Sequence, residues 1–303
     1  MNFNISIADE KSSNCLQDHQ YNETNIVNVF RRIPSSKLYD LIPKTEMPIQ
    51  AMANDIAKYY DDCFAPQGKF APDNIKLRFV LHKKNGVGEY ADAGENEIRL
   101  FMQSFPIDEC ASATDLDIWM RFVLAHEFFH IVHRAHYNSE GTGTWGDVLE
   151  DDIGTILAEV FAEYFANACM ESYFENDDNG KKRFHGLVDT SKGAILFGCG
   201  RKELLDRRRV DLEGMEVREP PNIGCRDTQA LIKENRKKLS TADYHGGRVV
   251  YLAANQTNGG KQGRSFGAYC SAYEKMLRGD YASALLDLIK LKKILWPNLF
   301  FFS

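Results

Sequence analysis

The sequence predicts an α+β fold, and three features carry that prediction. Apolar residues recur at helical spacing over long stretches, above all across residues 115–137 and 150–173. Two short segments, 75–81 and 97–102, instead alternate apolar with charged residues, as strands with one covered face do. Hydrophobic residues make up 44% and charged residues 26% of the chain, the balance of an ordinary globular protein and not of a disordered one.

Taken in order, residues 1–35 are polar, rich in Asn, Asp and Ser, and read as a loose N-terminal arm. Residues 36–176 read as a core. Its first helix is predicted over 48–64 by the spacing of Ile49, Met52, Ile56 and Tyr59. The two strands follow, joined by a Gly- and Asp-rich connection over 85–96. Thr114 and Asp117 stand three apart as a capping box would, at the start of the first long helix. Gly141, Gly143 and Gly146 mark a loop to the second, whose Leu157, Val160, Phe161, Tyr164 and Phe165 form one apolar stripe. Helices joined so briefly are expected to pack antiparallel. Residues 177–303 read as a mostly helical C-terminal lobe, with helical spacing at 228–240, 244–255, 266–277 and 281–295. The apolar ending, 295–302, is expected to dock on the body or on a second copy of the chain.

Charge and cysteine usage exclude several classes of function. With 37 Lys and Arg against 43 Asp and Glu, the net charge of −6 offers no field to hold a phosphate backbone, so no nucleic-acid partner is expected. The basic runs at 201–209 and 236–238 carry Glu203, Asp206 and Glu234 within or beside them, the pattern of solvated helix faces. No secretory leader is read in the first thirteen residues and no membrane-spanning run elsewhere. The seven cysteines are odd in number, scattered and without a Cys-x-x-Cys pair, which suits free thiols in the reducing cytoplasm.

One motif carries chemistry. His126 and His130 lie four apart on a predicted helix, so both imidazoles share a face and can reach one Zn2+ ion. Glu127 adjoins the first histidine and can take a proton from a zinc-bound water, whose pKa the metal lowers to about 7. A helix that merely contains these residues is the plain alternative. The apolar setting of Trp119, Phe122, Leu124, Phe128 and Ile131 weighs against it, because polar groups without ligands are costly there. A catalytic zinc also needs a third protein ligand. Glu159, flanking the apolar stripe of the following helix, is the candidate, and Glu163 one turn on can accept the outer N–H of a zinc-bound imidazole.

Glu159, Ala162, Phe165 and Ala166 resemble the E-x-x-A-x-x-F-A signature of the ImmA/IrrE-type minigluzincin peptidases. The resemblance covers roughly residues 75–173. It implies a zinc site of His126, His130 and Glu159, a general base at Glu127, and a gluzincin-like core in which a small mixed sheet lies against two active-site helices. Phe129 and Glu163 stand where that family often has a small residue and an Asp or Asn.

A rival ligand set, His126, His130 and His136, has metzincin spacing, but His133 occupies the position of the turning glycine and no Met-turn follows. His133 is expected to line the cleft or cap an acidic side chain, and His136 to favour the C-terminal helix dipole. His245 and Arg248 are candidate donors to an oxyanion, against the plainer reading of a helix start. The expectation is zinc-dependent hydrolysis of peptide bonds in a protein or peptide substrate. The alternative is a zinc-stabilised sensor or binding protein without turnover, which needs the ligands but not Glu127.

Overall fold

The computed structural model of the chain describes residues 2–10, 16–20, 49–64, 71–80, 91–102, 110–189, 264–285 and 287. In chain order the elements are β1 (Asn2–Glu10), β2 (Leu16–Gln20), α1 (Ile49–Tyr59), β3 (Asn74–Val80), β4 (Ala91–Ala93), β5 (Glu97–Phe101), α2 (Ala113–Glu140), α3 (Trp145–Glu150), α4 (Asp152–Tyr173), α5 (Asp178–Asp189) and α6 (Arg264–Leu277). A π-helical turn, Tyr60–Phe64, continues α1. The class is α+β, and among the described residues five strands form one mixed sheet in the order β2-β1-β3-β5-β4. The three inner strands are parallel and each edge strand is antiparallel to its neighbour.

Alternation sets the faces of this sheet. In β3, Ile75, Leu77 and Phe79 are buried while Lys76 is exposed, and in β5 Ile98 and Leu100 are buried. The half-exposed face is tied by ion pairs. Arg78 meets Glu97 at 2.7 Å, and Arg99 grips Asp92 with two hydrogen bonds of 2.6 and 2.7 Å, which pins edge strand β4 on β5.

Backbone contacts divide the chain into two compact units, Met1–Ala135 with Cys169–Leu187, and His136–Ala168 with Val188–Ser303. In the first, Phe128 of α2 receives Phe3 of β1 at 6.2 Å between ring centroids and the edge of Tyr60 at 5.9 Å. The neighbour of Glu127 is thereby clamped between sheet and helix. Arg121, seven residues before Phe128, has a side chain that is 93% buried, with its guanidinium 3.9 Å from the Tyr173 ring and paired with Asp55 and Asp117. In the second unit α6 packs along α4 through aromatic rings. Tyr269 stacks on Tyr164 at 4.2 Å, and Phe161 presents its ring edge-on to Tyr269 and Tyr273. The hydroxyls of Tyr137 and Tyr281 are hydrogen-bonded at 2.7 Å.

Several expectations are corrected. Residues 2–10, read as part of an irregular arm, form a strand, because Asn2 to Ala8 find a parallel partner in β3. The start of α2 is capped at Ser112 and not at Thr114. The Ser112 hydroxyl accepts from the Asp115 N–H, and the Asp115 carboxylate accepts from the Ser112 N–H. Arg183 of α5 then donates to both side chains, at 2.7 and 2.6 Å, which selects this box over the neighbouring one. The expected glycine loop contains α3, opened by its own capping box of Thr144 and Asp147. The connection before β5 includes β4, and α5 follows α4, where the sequence pattern had suggested no element. The C-terminal helix expected over 266–277 is present as α6, whereas 228–240, 244–255 and the apolar end at 295–302 lie outside the described residues. No helix among the described residues is long and apolar enough to cross a membrane.

Candidate metal centre

Most of helix α2 near the motif is buried, with Phe122, Leu124, Phe128, Phe129, Ile131 and Val132 all in the core. A helix in such surroundings holds its side chains in fixed rotamers, and each polar one needs a purpose or a partner. His126 and His130 meet on one face, Nε2 to Nε2 at 3.1 Å, with rings 4.8 Å apart and inclined at 76°. Glu159 of α4 brings a carboxylate oxygen to them. One donor atom from each of the three residues lies within 4.8 Å of the other two, and among the described residues this is the one such cluster able to hold a metal ion.

The geometry fits a small divalent cation. Two imidazole nitrogens bound to one tetrahedral ion at about 2.0–2.1 Å stand about 3.3 Å apart. The observed 3.1 Å is already close to that separation. Two neutral nitrogens and one carboxylate also form a donor set of mixed hardness, which leaves a coordination position for water or substrate. His126 is buried, while His130, Glu127 and Glu159 are each partly exposed. Glu127 is offset by about 100° around the helix from His126 and about 60° from His130, so it flanks the ligand face without lying on it.

The rival histidine is elsewhere. Helix α2 runs unbroken to Glu140, so His136 lies about 15 Å along the axis from His126 and no chain reversal returns it. Its Nδ1 is 3.2 Å from the Tyr273 hydroxyl, and its ring tilts against that tyrosine at 5.4 Å. Burial pulls the His136 imidazole below its ordinary pKa, opposed in smaller measure by Glu140. His136 is therefore a packing residue rather than a helix-dipole partner in water. His133, expected to line a cleft, is fully buried, with its ring 5.8 Å from Phe129.

Glu163 is 1% exposed, and the Asn167 amide donates to its backbone carbonyl at 2.8 Å and its carboxylate at 3.4 Å. His245 and Arg248 lie outside the described residues. Three residues escaped the sequence reading: Arg121, Asn167 and Tyr273. A signal existed for the first two. Arg121 follows Asp117 by four residues, an ion-pair spacing on helices, and Asn167 interrupts an otherwise apolar run over 164–170. Tyr273 had none, because its partner His136 is 137 residues away. No protein-family model, curated protein or solved structure matches this chain.

Proposed function

We propose that this chain is a cytoplasmic zinc metallopeptidase with a gluzincin-like core. The observation that carries the reading is the convergence of His126, His130 and Glu159, with Glu127 next to the first of them. His126 and His130 would hold Zn2+ through Nε2, each neutral, and Glu159 through a carboxylate oxygen. Zinc supplies Lewis-acid polarisation of a water and of the scissile carbonyl. Glu127 takes the proton that the attacking water sheds and passes it to the departing amine nitrogen, so one carboxylate serves as base and then as acid. Glu163 orients a ligand imidazole from behind. The substrate class is a protein or peptide. The cysteines at 63, 110, 169 and 270 are free thiols, which agrees with a reducing compartment.

The test is Glu127→Gln, which keeps side-chain shape and removes the proton acceptor. Zinc content is first shown equal to wild type, and cleavage is then read by labelling new protein N-termini in cells expressing either form. Cleavage is expected to fall about 10²- to 10⁴-fold. New termini that appear equally with both forms would show that Glu127 is not the base. Full zinc occupancy with no cleavage by either form would replace the peptidase by a zinc-stabilised sensor.

A further inference from the structure

Within the first compact unit, α1, α2 and the end of α4 enclose a cavity of about 80 Å³, whose lining includes Asp55, Ile56, Tyr59, Arg121, Met170 and Tyr173. It lies on the far side of α2 from the metal ligands. Arg121 precedes His126 by five residues and His130 by nine, which sets it about 140° and about 180° around the helix from them. A guanidinium is costly to bury, and the Arg121 side chain is 93% buried. Asp117 satisfies its Nε at 3.1 Å, and Tyr173 covers one face of its plane at 3.9 Å. The outer edge of the fork is under-used. Nη1 reaches Asp55 only at 3.3 Å, against about 2.8 Å for a well-made guanidinium–carboxylate bond, and Nη2 has no hydrogen bond among the described residues.

Charge and space narrow the ligand. Asp55 and Asp117 both face the one cation, so a bare anion entering the cavity meets an excess of negative charge, while a bare cation meets the guanidinium. A small molecule that carries both signs meets neither objection. The Asp55 side chain is 55% exposed, so its carboxylate can turn to a second partner while the buried guanidinium stays in place. Ile56 and Met170, both in the core, supply apolar wall beside these charges. A single water needs about 10–15 Å³ of such space, so the cavity takes about five to eight non-hydrogen atoms, the size of an α-amino acid from glycine to serine.

We propose that this cavity is a binding site for a free α-amino acid with a small side chain: Nη1 and Nη2 of Arg121 hold its carboxylate, Asp55 accepts from its ammonium group, and Ile56 and Met170 face its carbon skeleton. Tyr173 fixes the plane of the guanidinium, which lets the two nitrogens engage both carboxylate oxygens at once. The proposal stands apart from the zinc-site reading, because none of its residues belongs to the metal cluster.

Ligand-observed NMR titration of the purified full chain tests it with three probes of similar size: alanine, propionate, which lacks the ammonium group, and alaninamide, which lacks the carboxylate. Chelator is present throughout, because amino acids also bind zinc. Wild type is expected to bind alanine at least about tenfold more tightly than either other probe, since a hydrogen bond between charged groups is worth that factor or more. Asp55→Asn is expected to weaken alanine about tenfold and to leave propionate bound as tightly as before or more so, because the partner of the ammonium is gone and a repelling charge with it. Arg121→Lys keeps the charge without the fork and should weaken both alanine and propionate. Thermal unfolding shows which variants fold, and if Arg121→Lys does not, the three probes on wild type and Asp55→Asn decide alone. No binding of alanine at millimolar concentration would overturn the proposal. So would propionate or alaninamide binding wild type as tightly as alanine does. Equal weakening of alanine and propionate by Asp55→Asn would show that Asp55 only holds Arg121 in place, and would overturn it as well. Alanine is expected to bind His126→Ala as it binds wild type, so a chain that binds alanine but no zinc would lose the metal reading and keep this one.

Discussion

The imidazoles of His126 and His130 meet with their Nε2 atoms 3.1 Å apart, one ring edge-on to the other. Four residues of helix place the two rings, and the core around Phe128 and Phe129 keeps the helix from turning. The arrangement converges two lone pairs on one point, and Glu159 supplies the third donor.

Purified protein is therefore expected to bind one zinc ion per chain. His126→Ala, His130→Ala and Glu159→Ala should each lose most of it, while His136→Ala should keep it, as read by metal analysis of the folded variants. Zinc retained by Glu159→Ala and lost by His136→Ala would reverse the ligand assignment.

Gly154 is a point of close backbone approach ahead of Glu159. A Cβ built there would lie 2.5 Å from the carbonyl oxygen of Val148, and a backbone oxygen cannot rotate aside as a side chain can. Gly154→Ala is expected to destabilise the fold by about 1–3 kcal/mol, as overpacked sites do. Urea unfolding measures it, and a variant as stable as wild type would show that the junction of α3 and α4 yields at no cost.

Acid should weaken the protein partly through His136. Burial lowers its pKa from the ordinary 6.5, so the unfolded chain takes up this proton before the folded one does. Its contribution is fully present above about pH 6.5 and is lost as pH falls toward the depressed folded value. Unfolding in chelator at about pH 7.5 and pH 5.5 should show a smaller loss for His136→Gln than for wild type. Parallel losses in the two proteins would mean that His136 titrates alike folded and unfolded.

Helices α2 and α4, strands β3 and β5 and the grouping of His126, Glu127 and His130 were legible in the sequence because each rests on periodicity. A spacing of four on a helix or two on a strand is a local property, and the burial of Ile75, Leu77 and Phe79 repeats the alternation that announced it. Features that depend on a distant partner were not legible. The pattern pointed to a cap at Thr114, and Arg183 from α5, by donating to Ser112 and Asp115, favours the cap at Ser112 instead. The polar strand β1 holds because β3 satisfies its backbone, which no count of Asn and Ser reveals.

By itself, then, the sequence determined which side chains share a helical face, since the 3.6-residue turn requires only neighbours along the chain. Tertiary structure decided which faces meet. It brought the Glu159 carboxylate to two histidines 29 and 33 residues earlier and set His136 against Tyr273. The physical reason is that closing a contact across the chain is driven by burial of the whole apolar surface around it. That burial is shared among many residues, and no one segment carries its record.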